Sequence, residues 1–329
     1  MTEFDWQERA AVERVMDSGV LSGYTAGGLT GGPEVEALEA EWAARFGFRH
    51  AVAMNSATSC LMAACGAVGV GESHEVIVPP LTMSATATAC LPWGATPVFC
   101  DIEPDYFCLN PEGLTFTGPG RTGKGGWSAG TRAIITVDLF GQMSNPALRK
   151  IADDFGMALI QDASQRPLPG GFGDIVVYSL NYHKHIHCGE GGVACTNDDT
   201  LAHRLRLIRN HGENASGWDQ LPSPQYGFNF RLTELQAAIA RVQLTKLEVE
   251  IACRQRDAQA IPNLALVRPG FEHAWYLCPQ LYPAHGPLPK NCARYAHPLY
   301  RLPLFSLWNT DSDFPVTEHV WKTLWVTKP

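Results

Sequence analysis

Two rhythms of apolar residues alternate along this chain. In "PEVEALEAEWAARFG" the apolar positions Val35, Leu38, Trp42 and Phe46 recur at helical spacing and form one stripe. Pro33 suits a first helical position and Gly47 a C-terminal cap. Residues 5–17 also carry a helical pattern, and "SGVLSGYTAGGLTGGP", with six glycines, separates the two. Beyond Gly47 short apolar runs take turns with helical ones. "HAVAM" (50–54) reads as a strand, "TSCLMAACGAV" as a helix and "EVIVP" (75–79) as a strand. "SATATACL" reads as a helix, "TPVFCDI" and "RAIITVDLF" (132–140) as strands, "PALRKIADDFG" as a helix and "MALIQDAS" as a strand. "GGFGDIVVYSL" and "GGVACTND" add two more strands. Strands that are apolar throughout, alternating with helices, predict an α/β fold: a mostly parallel central sheet covered by helices on both faces.

Thr233 opens a long helix, with Gln236 as a capping-box partner and Leu235, Ile239, Val242 and Leu247 as its stripe. From about residue 263 proline and aromatics rise and short strands are expected. This divides the 329 residues into a large α/β domain, 1–260, and a small, shortened α+β domain, 261–329. The segment 118–130, "GPGRTGKGGWSAG", reads as a surface loop. It lacks the Gly-Lys-Ser/Thr ending of a phosphate loop and does not run from strand into helix. No internal repeat is visible.

With 45% apolar and 18% charged residues the chain can bury a sizeable core. A net charge of -8 argues against nucleic acid or an anionic membrane surface as the main partner. The ten cysteines include no CxxC pair and several sit in apolar runs, as buried thiols in a reducing compartment do. The N-terminal "MTEFDWQERAAVERV" has no apolar signal core, and residues 76–100 are broken by four prolines. The expectation is a cytoplasmic protein with a small-molecule substrate.

Chemistry concentrates in "SLNYHKHIHCGEGGVACTND" (179–198). If residues 183–187 are extended, His183, His185 and His187 share one side as a possible metal face, with Lys184 on the other. A reactive amine beside a glycine-rich turn is the competing reading. Asp162 ends the strand "MALIQD", at the carboxyl edge where parallel sheets bind ligands. Asn55-Ser56-Ala57-Thr58-Ser59 joins a strand to a helix N-terminus, a ready anion cradle. An anion cradle, an acid and a lysine are what pyridoxal 5'-phosphate requires: an anchor for its phosphate, a partner for its ring nitrogen and an amine for its Schiff base.

These residues resemble the DegT/StrS-type sugar aminotransferases, which share the fold-type I architecture of aspartate aminotransferase. "VAMNSATSCLMAA" resembles the family's phosphate turn, and "EVIVPPLTMSATATACLPWGATPVFCDIEPD" its next unit. "VDLFGQ", "DASQ", "YSLNYHKHIHCGEGGVACTND", "RNHG" and "YGFNFRLTELQAAIARVQL" follow in the family's order, and "HAWYL" and "HPLYRLPLF" resemble its C-terminal domain. The resemblance implies that Lys184 carries the cofactor and shuttles protons. It implies that Asp162 pairs with the pyridinium nitrogen and that Gln165 approaches the ring hydroxyl. Thr58, Ser179 and the amide of Ala57 would hold the phosphate, and Asn229 would reach the phosphate of a neighbouring subunit, so that a homodimer shares the site. Related sugar dehydratases carry histidine at the lysine position; five residues after Ser179 stands Lys184. Ala57 replaces a usual glycine, and Met83 stands where an aromatic often stacks on the ring. "DASQRPLPGGFGD" is a shorter connection than usual.

The expected activity is amino transfer from L-glutamate to a nucleotide-linked keto sugar, with His273, Trp275, Tyr295, His297 and Tyr300 as sugar-facing candidates. The competing readings are a non-catalytic binding protein on the same fold and a histidine-cluster metalloenzyme.

Overall fold

The computed structural model describes residues 4–24, 30–116, 126–213, 225–282, 292–305 and 313–329. Most of the glycine-rich segment 118–130 lies outside them. In chain order the elements begin with α1 (Trp6–Ser18), α2 (Pro33–Phe46), β1 (His50–Met54), α3 (Ala57–Ala67), β2 (Glu75–Val78), α4 (Ser84–Thr88) and β3 (Thr96–Phe99). Next come β4 (Thr115–Phe116), β5 (Gly126–Trp127), β6 (Thr131–Val137), α5 (Ala147–Asp154), β7 (Ala158–Asp162), β8 (Ile175–Ser179), β9 (Gly192–Thr196) and α6 (Asp199–Arg209). The chain closes with α7 (Glu234–Ala258), β10 (Cys278–Leu281), β11 (Ala293–Arg294), α8 (Pro315–Thr323) and β12 (Leu324–Thr327). The fold is α/β with a mostly parallel central sheet. No helix among the described residues is long and apolar enough to cross a membrane.

The chain forms two compact units, each built from two segments: residues 1–68 with 168–251, and 69–167 with 252–329. This partition differs from the one that composition suggests near residue 260.

In the first unit β9 pairs antiparallel with both β1 and β8. Strands β1 and β8 therefore run the same way and end at the same level, with Met54 and Ser179 both opposite Gly192. The expected stripe of α2 is buried at Val35, Leu38, Trp42 and Phe46. Phe46 and Trp42 meet the ring of Tyr178 on β8 at 4.5 and 5.7 Å between centroids. Pro33 opens α2, and Gly47 ends it in the left-handed conformation (φ 77°). The outer edge of β1 is closed by a buried ion pair: Glu39 Oε1 accepts from the Ala53 amide at 2.9 Å, and Arg209 donates to Glu39 at 2.5 Å and to the Ala53 carbonyl at 2.9 Å. Thr233 and Gln236 form the expected reciprocal cap before α7.

In the second unit β7, β6, β2 and β3 pair in parallel in that order. The run 132–140 is not one strand: β6 stops at Val137, and Leu139–Gly141 is a turn of 3-10 helix in which Phe140 adopts φ 62°. The turn is set by Asp138, whose buried carboxylate accepts from the Ser144 amide and hydroxyl and from Gln161. Likewise "SATATACL" is helical only to Thr88, and Leu91–Trp93 forms a separate 3-10 turn with Pro92 at its second position. After residue 263 the short strands β10, β12 and β11 form an antiparallel sheet. Helix α8 precedes β12, its first amides held by Asp101 at 2.9 Å.

Candidate active site

In the first unit, α3 starts directly after β1. Ser56 is its N-cap, accepting from the Ser59 amide at 3.0 Å, and the Ser59 hydroxyl donates to Asn55 at 2.6 Å. The amides of Ala57 and Thr58, in the first turn, have no intrahelical acceptor. Ala57 is half-buried and Thr58 exposed. A Cβ on Gly192 would stand 2.5 Å from the Ala57 nitrogen and 2.7 Å from the Ser56 carbonyl carbon. Only glycine lets β9 pass under the helix end this closely. Ser179, opposite Gly192 in the sheet, is thereby brought to the same place, with its hydroxyl accepting from the Asn181 amide at 3.2 Å. Ala57, Thr58 and Ser179 are thus gathered at one helix N-terminus, a positive end that favours a phosphate.

Residues 180–191 form a compact loop and not the extended segment that a metal face requires. The Tyr182 amide donates to Gly189 at 2.8 Å, Lys184 to Asn181 at 2.9 Å and Cys188 to Leu180 at 3.1 Å. The side chain of Asn181 clips Glu190 at 2.8 Å across the loop. The three histidines go separate ways. His183 is exposed and lies tilted against Tyr182 (3.7 Å), His185 is fully buried, and His187 stacks on Phe4 (4.8 Å). Among the described residues no group of three or more His, Cys, Asp or Glu side chains is placed to hold a metal ion. Lys184 is half-buried within this loop.

The glycines of the loop have distinct reasons. Gly189 takes φ 88°, a Cβ on Gly191 would meet Cys188 Sγ at 2.9 Å, and Gly192 is held against backbone. Asn229 is exposed, in a stretch tied to Asn210 by backbone pairing.

In the second unit Asp162 ends β7 and is 6% exposed; its Oδ1 accepts from the Ser164 amide at 3.0 Å. The Ser164 hydroxyl is buried without a hydrogen-bond partner. Gln165, also 6% exposed, accepts at Oε1 from the Phe140 amide at 2.6 Å, and its Nε2 lies 3.5 Å from the Tyr295 hydroxyl. Met83 precedes α4 and is 63% exposed, so its thioether is open to a ligand face. Sequence reasoning did not single out Ser164, Asp138 or Phe140. The signal available was their place in "DASQ" and "VDLFGQ", beside residues that were singled out.

Of the sugar-facing candidates, His273 and Tyr300 are buried and His297 is exposed. Burial, and after it the Arg166 charge, pushes the His273 ring down to about 3. Its Nδ1 accepts from the Trp275 amide at 2.9 Å. Tyr300 donates to Glu318 at 2.5 Å and stacks on Phe314, which gives it a packing role.

Each unit carries features that suit pyridoxal phosphate: in the first, a helix N-terminus with a close glycine approach for the phosphate and a lysine in a hydrogen-bonded loop; in the second, a buried carboxylate at a strand end with a buried, unpartnered hydroxyl near it. Comparison with known proteins agrees. The profile of the DegT/DnrJ/EryC1/StrS aminotransferase family matches residues 5–265. The spore coat polysaccharide biosynthesis protein SpsC of Bacillus subtilis (strain 168) is 33% identical over 277 residues, covering 77% of this chain and 69% of that protein. The structure of S. venezuelae DesV superposes with a TM-score of 0.81 at 28% identity, over 97% of this chain and 88% of that one. A structure of DesI determined in the presence of its TDP-sugar product gives 0.80 at 25% identity, over 99% and 86%. The chain belongs to the DegT/DnrJ/EryC1/StrS aminotransferase family and is a pyridoxal-phosphate-dependent aminotransferase.

Proposed function

We propose that this aminotransferase converts a keto sugar, carried on a nucleotide, to an amino sugar, with L-glutamate as amino donor. The observation that carries the cofactor half of this reading is the register that sets Ser179 and Met54 level with Gly192 beneath the start of α3. The Ala57 and Thr58 amides and the Thr58 and Ser179 hydroxyls bind the phosphate there. Lys184, five residues beyond Ser179, would hold the cofactor through its ε-amine and would move a proton to and from the substrate carbon. Asp162 favours a proton on the ring nitrogen by direct Coulomb attraction. Gln165 addresses the ring hydroxyl, and Met83 covers a ring face. The bound cofactor supplies an electron sink for the amino transfer.

Support for the sugar half comes from the relatives: SpsC is named for polysaccharide biosynthesis, and DesI was solved with its TDP-sugar product. In this reading residues 261–329 serve as a small C-terminal domain that finishes the substrate pocket with Trp275 and His297. Asn229 reaches the cofactor phosphate of a second subunit in a homodimer. The deciding test is coupled turnover with a panel of nucleotide-linked keto sugars and L-glutamate. Formation of an amino sugar together with 2-oxoglutarate is expected. Rapid turnover of ordinary 2-keto acids with none of any keto sugar would move the enzyme to amino-acid metabolism. Light scattering should show at least two chains per particle, and a fully active monomer would remove the role of Asn229.

A further inference from the structure

The turn after β6 binds two side chains at once. Phe140 adopts φ 62°, a conformation that a bulky residue rarely takes without a reason. Its amide points at Gln165 Oε1, 2.6 Å away. A backbone N–H can only donate, so the Gln165 amide is fixed with oxygen toward Phe140 and nitrogen away from it. That nitrogen lies 3.5 Å from the Tyr295 hydroxyl. The Phe140 ring meets the Tyr295 ring edge-on, 4.8 Å between centroids at 80°. Phe140 therefore grips Gln165 through its backbone and Tyr295 through its side chain. Burial, and after it the neighbouring Tyr276 and then Asp162, pushes the Tyr295 hydroxyl up to about 12, against the lowering effect of its Gln165 hydrogen bond, so it stays protonated across the working range.

We propose that Tyr295 is a positioning residue: with Phe140 it latches Gln165 so that one Nε2 hydrogen faces Tyr295 and the other faces the cofactor's ring oxygen. This rests on the reading of Gln165 given above and goes beyond it by assigning Tyr295, which was named only as a sugar-facing candidate. A donor held at the ring oxygen stabilises that oxygen's ionised form. Loosening the donor lets the ring system keep its proton to higher pH.

The test uses purified holoenzyme in three forms: wild type, Tyr295→Phe and Gln165→Ala. Each is titrated with pH while the absorbance of the bound cofactor is followed, and each is melted. Tyr295→Phe keeps the ring against Phe140 and should melt near the wild type. Its spectral transition should move up by roughly half a pH unit, a shift of the size expected from weakening one hydrogen bond. Gln165→Ala should move the transition further in the same direction. A shift in Gln165→Ala with none in Tyr295→Phe would overturn the latch and leave the reading of Gln165 standing. A shift in Tyr295→Phe alone would mean that Tyr295 acts without Gln165, which also overturns it. No shift in either variant would remove Gln165 from the ring oxygen, and the latch with it.

Discussion

Gly192→Ala tests the phosphate cradle without removing a polar group. The added methyl would stand 2.5 Å from the Ala57 nitrogen, 2.7 Å from its Cα and 2.7 Å from the Ser56 carbonyl carbon. All three are backbone atoms, so no flexible side chain can swing aside. Either β9 or the first turn of α3 must shift. Overpacking of this kind costs about 1–3 kcal/mol of stability. The functional cost is separate. If the displaced turn loses one charge-assisted hydrogen bond to the phosphate, affinity falls by ~1.5–3 kcal/mol, roughly tenfold to a hundredfold in Kd. Gly189→Ala is the control: that residue takes φ 88° but a Cβ there meets nothing within 4 Å, so the substitution strains the loop without touching the cradle. The assay is titration of the apoenzyme with pyridoxal phosphate, followed by absorbance, beside a thermal melt of each variant. Gly192→Ala should bind much more weakly than Gly189→Ala. Equal affinity of the two variants, with Gly192→Ala folded, would refute the placement of the phosphate at this helix end.

Lys184→Ala should lose the cofactor adduct that borohydride traps on the wild-type chain; an adduct persisting on another lysine would reassign the anchor. Asp162→Asn should keep fold and cofactor but lower turnover by roughly a hundredfold, the scale of losing one preorganised electrostatic contact, and near-normal turnover would count against its role. His273 gives a pH prediction: its ring is ordinarily half-protonated at 6.5 and is pushed down to about 3 here. Above 6.5 folded and unfolded chains both keep it neutral, whereas between 6.5 and about 3 only the unfolded chain takes up the proton. Stability is therefore lost as pH falls through that window, and His273→Gln should flatten melting temperature against pH there; an unchanged slope would show that the ring is protonated when folded. Chelator treatment should leave the rate intact, and restoration of a lost rate by a divalent metal would revive a role for the histidines.

Much of this architecture is written in local signals. The α2 stripe with Pro33 and Gly47 at its ends, and the Thr233–Gln236 cap, are short-range patterns, and the structure reproduces them. The Asp162 strand end and the Ala57 helix start are equally local. What escaped depends on distant partners. Strands β8 and β9 are apolar on both faces, so nothing in their pattern distinguishes antiparallel from parallel pairing. The run 132–140 looked like one strand because Leu139 and Phe140 are apolar; the turn there comes from Asp138 bonding to Ser144 and Gln161. The histidine run alternates as a strand would, yet it is folded back by hydrogen bonds from Tyr182 and Cys188 that no spacing rule reveals. Gly192 was visible as part of a motif, but the reason for it, a backbone passing beneath another backbone, was not.

The two-segment construction of each unit has a consequence for synthesis. Strand β1, residues 50–54, pairs with β9, whose first contact residue is Gly192 and whose last is Thr196. As the chain leaves the ribosome, the apolar "HAVAM" and the start of α3 must wait for the whole of the second unit's first segment, residues 69–167, and for the chain beyond it as far as Gly192, before their partner exists. That segment holds β2, β3, β6 and β7, which can pair with one another meanwhile. The parallel strands in the middle of the chain are thus expected to assemble before the cradle around Ala57, and the nascent β1 is exposed to aggregation for that interval. A chain stalled before residue 192 should remain protease-sensitive at residues 50–68 while 69–167 gains protection.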